Sequence, residues 1–179
     1  SLHIDEQVLF DGVHRILNPD SKTQFLYLLF DGGDHRYGRL FWNINAIICY
    51  LPENIYGATG QIYFARMSSA FFLITSYIIF TITFLKSWLF RLVGIITLLA
   101  MPYTLYYMSM PKPEPLQLFT LSLFFYFFKK TNRDLNSCYW IFLGLAIGAK
   151  ISTLPFAICI FLFVFLGNYK GFEFSINFK

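Results

Sequence analysis

Met67-Ser-Ser-Ala-Phe-Phe-Leu-Ile-Thr-Ser-Tyr-Ile-Ile-Phe-Thr-Ile-Thr-Phe-Leu85 runs without a charged side chain. It approaches the ~20 apolar residues that a helix needs to cross the hydrocarbon core of a bilayer. Further along, residues 92–110 form a second uncharged run, broken near its end by Pro102. Residues 116–128 are shorter and would span if tilted or extended by their flanks. Residues 135–149 and 151–169 follow, separated by Lys150 and loosened by Gly144, Gly148 and Pro155.

Composition agrees with these runs. Only 13% of the 179 residues are charged and 56% are hydrophobic, whereas a soluble domain carries about 25% charged residues. That deficit points to a membrane and excludes disorder, which needs an apolar-poor chain. The 23 Phe and 12 Tyr suit lipid-facing helices with aromatic residues near the interfaces. The expected fold is all-α: a polytopic transmembrane bundle over residues 64–179, of about three to five apolar segments. An extracytoplasmic region, residues 1–63, precedes it. There residues 7–17 form an amphipathic helix, Asn18-Pro19-Asp20 and Asp31-Gly32-Gly33-Asp34 are turns, and residues 40–51 lie at the interface and end at Pro52-Glu53-Asn54. The chain opens Ser-Leu-His, and we expect it to be a piece of a longer protein with at least one span before Ser1.

The net charge of +4 matters less than its distribution. Lys86 with Arg91, Lys129-Lys130 with Arg133, and Lys170 with Lys179 all stand at ends of apolar runs, which suits the positive-inside rule better than a nucleic-acid surface. With these clusters cytoplasmic, the Pro111-Lys112-Pro113-Glu114-Pro115 turn and residues 1–63 face outward. Lys150 then dissents, because it lies at or near the outer side inside an apolar stretch. An ionisable residue in that position is a functional candidate.

The outward-facing set holds carboxylates (Asp5, Glu6, Glu114) and cations (Arg36, Arg66, Lys112, Lys150). Transfer of a group from a phosphate-bearing lipid needs both kinds. Cations stabilise the leaving phosphate, and a carboxylate takes the proton of the attacking hydroxyl or amine. Each residue also has a plainer reading. Asp5-Glu6 suits a solvated helix start, Arg36 and Arg39 suit loop charges, and Arg66 suits an interfacial snorkelling residue. Lys112 and Glu114 suit an exposed turn with a weak ion pair. Lys150 fits a plain reading least. Cys49, Cys138 and Cys159 have neither CxxC nor Cys/His spacing and read as small apolar-site residues. His35 has no second His at ligand spacing, so no metal or other cofactor is expected. Gly144-x-x-x-Gly148 suits close helix packing. GxSxG, P-loop, HExxH and GxGxxG motifs are absent from the sequence.

The order of short motifs is informative. Asp5-Glu6 opens the outer region, then come His35-x-Tyr37-Gly38, Arg66-Met-Ser68-Ser69, Lys112-Pro-Glu114-Pro-Leu116 and Gly144-Leu-Ala-Ile-Gly148-Ala-Lys150-Ile-Ser152. This order resembles the N-terminal half of the membrane module of GT-C glycosyltransferases, in particular the protein O-mannosyltransferase and aminoarabinose transferase group. The resemblance implies a donor sugar on a polyprenyl or dolichyl phosphate, transferred with inversion at the outer face to a lipid, glycan or protein acceptor. It implies Asp5 as base with Glu6 as its acidic neighbour, and donor-phosphate or substrate contacts from His35, Arg66, Lys112, Glu114 and Lys150. Two departures stand out. Glu114 is the only acid in its loop, where members often carry a neighbouring Asp, and His35-Arg36-Tyr37 replaces a His-Pro-Pro-like stretch. The alternative from another class is a non-catalytic transporter or lipid-carrier-binding subunit, whose charged residues would line a pathway.

Overall fold

A computed structural model describes residues 4–31, 38–131 and 138–168. Every element among the described residues is helical, so the all-α expectation holds. In order they are α1 (Ile4–Leu17), α2 (Lys22–Asp31), α3 (Arg39–Phe84), α4 (Trp88–Ala100), α5 (Pro102–Ser109), α6 (Pro113–Lys130), α7 (Trp140–Ala149), a 3-10 turn (Ile151–Thr153) and α8 (Leu154–Asn168).

Helix α3 is two arms joined at a sharp bend. Pro52, expected to end the first arm, sits inside it, because a proline keeps helical φ and costs the helix only one hydrogen bond and a local clash. The chain turns instead at Gly57, whose φ of 62° and ψ of −152° belong to a region open essentially to glycine alone. The second arm then returns along the first. A Cβ at Gly60 would lie 2.6 Å from the Pro52 carbonyl oxygen, and the Cys49 thiol donates to the Gln61 carbonyl at 3.4 Å.

Beyond the bend, Thr59–Phe84 is 26 residues long and apolar enough to cross a membrane, reaching about 39 Å at 1.5 Å per residue. Helices α4 and α5 meet that test only as a pair, bent by 69°. The bend follows from Pro102, which lacks the N–H that would reach the Leu98 carbonyl four residues back. Thr104 repairs the loss: its hydroxyl donates to Leu98 O at 2.6 Å. With that proton committed, the Tyr77 hydroxyl of α3 donates to Thr104 Oγ1 at 3.0 Å. A broken helix in apolar surroundings persists only when freed backbone groups find such partners.

The helices alternate in direction. Phe72 packs on Phe119 and Phe84 on Phe125, so the second arm of α3 and α6 run the same way. Phe124 meets Tyr139 and Trp140, while at the start of α6 Glu114 meets Lys150 and Gln117 meets Thr153, so α7 returns antiparallel to α6. Five hydroxyls along the buried faces of α3 and α6 are satisfied within their own helices. Ser76, Thr81, Thr83, Thr120 and Ser122 each donate to a carbonyl three or four residues back. Outward, the surface is apolar: α4 has no buried residue, and Trp88 and Phe90 are 72% and 65% exposed. Contiguous exposed apolar faces of this kind mark contact with a partner or a membrane.

Two outcomes test this fold. Gly57→Ala forces an L side chain into the strained bend and should cost about 1–3 kcal/mol, seen as a lower unfolding midpoint in detergent; an unchanged midpoint would place the turn elsewhere. Cys49, in the first arm and outside the span, is buried. Desolvation, with a smaller push from the negative charge of Glu53, raises its thiol from 9.0 to about 12. At pH 8 its thiolate fraction is then about three orders of magnitude below that of an ordinary cysteine. Cys49 should resist alkylation at pH 8 while exposed Cys138 reacts, and equal rates would contradict the packing of the first arm.

Candidate functional site

Three segments far apart in sequence meet at one end of the bundle. The first is the start of α6. Pro113 occupies its opening turn, where a missing N–H costs nothing, and Glu114 sits in that turn, where the helix dipole favours a negative charge. The second is the junction after α7. There Lys150 takes an extended conformation, φ −152° and ψ 118°, and its N–H returns to Ala146 O at 3.1 Å. The third is Gly38, which precedes α3. Its N–H donates to Ala149 O at 3.0 Å. A Cβ there would fall 1.9 Å from Gly148 O, so only glycine allows this approach without displacing backbone.

The Lys150 ammonium donates to Glu114 Oε1 at 2.6 Å, with the two side chains 27% and 23% exposed. The junction beneath is fixed by Thr153, whose hydroxyl lies 2.7 Å from Lys150 O and 3.2 Å from Ala146 O. The Gln117 amide of α6 donates to that same hydroxyl oxygen at 2.8 Å. The expected pairing of Lys112 with Glu114 is therefore replaced. Glu114 turns to Lys150, and the Lys112 ammonium stands 4.8 Å from the centre of the Tyr106 ring, within cation–π range.

The remaining site residues fall as follows. Arg66 is exposed, and the register set by Phe72 on Phe119 puts it level with the Glu114 turn. Asp5 and Glu6 lie in the first turn of α1. Gly12 lies against the Trp42 ring, and His14 and Asn18 reach Glu53, so α1 runs in the direction of the first arm of α3. Its opening turn therefore points toward the end where Gly38 docks. His35, with Arg36 and Tyr37, lies outside the described residues. At the opposite end of the bundle the Lys129 ammonium donates to the Thr83 carbonyl, and the Arg91 guanidinium donates to Leu85 O at 2.8 Å.

Sequence reasoning missed Gln117 and Thr153, which carry no signal beyond being polar within apolar runs. It also missed the contact of His14 Nδ1 with Glu53 Oε1 at 2.6 Å, made across 39 positions. Among the described residues, no group of three or more His, Cys, Asp and Glu side chains gathers where a metal ion would sit. Chemically, the site offers a part-exposed ammonium beside a carboxylate, at the mouth of an apolar bundle. No protein-family model, curated protein or solved structure matches the chain.

The Glu114–Lys150 pair should show in a double-mutant cycle. Lys150→Met and Glu114→Gln are each expected to destabilise, and together by less than their sum, with a coupling of about 1 kcal/mol given their partial exposure. Strict additivity would mean the pair does not form.

Proposed function

We propose that the chain is part of a multi-pass membrane glycosyltransferase of GT-C type, moving a sugar from a polyprenyl- or dolichyl-phosphate carrier to an acceptor at the extracytoplasmic face. The observation that carries this reading is the Lys150 ammonium, held at a helix break by Glu114. It lies at the end of the bundle opposite Lys129 and Arg91. Alternating helix directions and an apolar exterior support a polytopic bundle, with the basic end cytoplasmic. The α4–α5 pair, α6, α7 and α8 would then complete the passes that Thr59–Phe84 begins.

In this reaction the acceptor oxygen or nitrogen attacks the anomeric carbon from the face opposite the phosphate. The bond from that carbon to the phosphate oxygen breaks, and the carrier phosphate leaves with the electron pair. Lys150, with Arg66 at the same level, stabilises the charge growing on that oxygen. Asp5, in the α1 turn aimed at this end, takes the acceptor's proton. A lipid-carrier-binding subunit without chemistry is the second reading. It is favoured by one observation, that the Lys150 ammonium already has an anionic partner.

The deciding assay incubates membranes containing the protein with polyprenyl-phosphate sugars and measures released polyprenyl phosphate. Release should occur, fall by about 10²–10³ in Lys150→Met, and vanish in Asp5→Asn with insertion intact. Carrier binding without release would select the second reading, and unchanged transfer in Asp5→Asn would remove Asp5 from the mechanism.

A further inference from the structure

We infer that Glu114 is a sugar-reading residue: its second carboxylate oxygen accepts a hydrogen bond from the donor hydroxyl next to the anomeric phosphate. This rests on the proposed function and names what that site recognises. Glu114 Oε1 is occupied by the Lys150 ammonium at 2.6 Å. Oε2 is shielded from solvent and accepts no hydrogen bond, although a carboxylate oxygen has two lone pairs to offer. The polar groups around it are committed elsewhere. Lys112 stands over Tyr106, and the Gln117 amide goes to Thr153. Glu114 also sits in the first turn of α6, yet Oε2 takes none of that turn's free N–H groups.

A shielded, charged oxygen without a donor is unfavourable until one arrives. Glu114 is 23% exposed at its side chain, and the terminal torsion of a glutamate is soft, so a modest rotation brings Oε2 to the site's edge. The Lys150 ammonium keeps two N–H groups beyond the one given to Glu114. The pair therefore presents a place for an anion and, one carboxylate width away, a place for a hydrogen-bond donor. A sugar ester of phosphate with a hydroxyl on the carbon beside the anomeric centre fills both. The sugar-free carrier fills only the first, and a free sugar only the second.

The test measures binding of three probes to the protein in lipid nanodiscs: hexosyl polyprenyl phosphate, its 2-deoxyhexosyl counterpart and sugar-free polyprenyl phosphate. Wild type should favour the hexosyl over the 2-deoxyhexosyl form by about tenfold, the size of one charge-assisted hydrogen bond. Glu114→Gln should reduce that preference below about threefold, whatever its affinity for the sugar-free carrier. Retained discrimination in the variant overturns the inference. So does equal loss for all three probes, which makes Glu114 only the holder of Lys150. Failure of wild type to bind any probe sinks the proposed function itself. Should Glu114→Gln misfold, judged by exposure of Cys49 to alkylation, Glu114→Asp takes its place. It keeps the charge, retracts the oxygen and should lose the discrimination in the same way.

Discussion

A lysine ammonium set between two apolar helices needs an anion within reach, because an unpaired charge in such surroundings is expensive. Glu114 supplies that anion across 36 positions of sequence, and much of the architecture serves the meeting. Helix α6 must present its first turn where α7 ends, which the packing of Phe124 on Tyr139 and Trp140 toward the far ends of the two helices secures. The junction must stay open and extended at Lys150, which Thr153 and Gln117 enforce. The chain entering α3 must pass close by, which the bare backbone of Gly38 permits.

The same constraint operates wherever the helices break. Pro102 frees the Leu98 carbonyl, and Thr104 answers it with help from Tyr77. Hydroxyls along α3 and α6 turn inward to their own backbones. Helices finished this way expose little but aromatic and aliphatic side chains, as α4 does. Charged groups of the bundle stand toward its two ends. One end holds Lys129 and Arg91 on backbone carbonyls, and the other holds the Lys150–Glu114 pair.

Much of this was legible in the sequence, for identifiable reasons. Uncharged runs and a scarcity of charge give an all-α chain, and a lone lysine in such a run marks the α7–α8 break. Pro102 announces its own bend. Pro52 misleads, since proline is the strongest breaker signal, yet the chain tolerates it and turns at Gly57. A glycine alone does not reveal whether its positive φ will be used. The partner of Lys150 was not legible either. Nearness in sequence favours Lys112 for Glu114, and only the packing of α6 on α7 reverses that choice. Asp5 and Glu6 fall in the first turn of a helix, as their helix-start reading had it, while His35 lies outside the described residues.

The proposed function requires the scarce charges to be sorted to two ends of a bundle proposed to lie in a membrane, with Asp5 and Glu114 sharing one end and Lys130 at the other. Single cysteines at positions 5, 112 and 130, probed with an impermeant maleimide in sealed vesicles of known orientation, test it most directly. The account predicts that positions 5 and 112 label from the same side and position 130 only from the opposite one. Labelling of positions 5 and 112 from opposite sides, or of all three from one side, would contradict it.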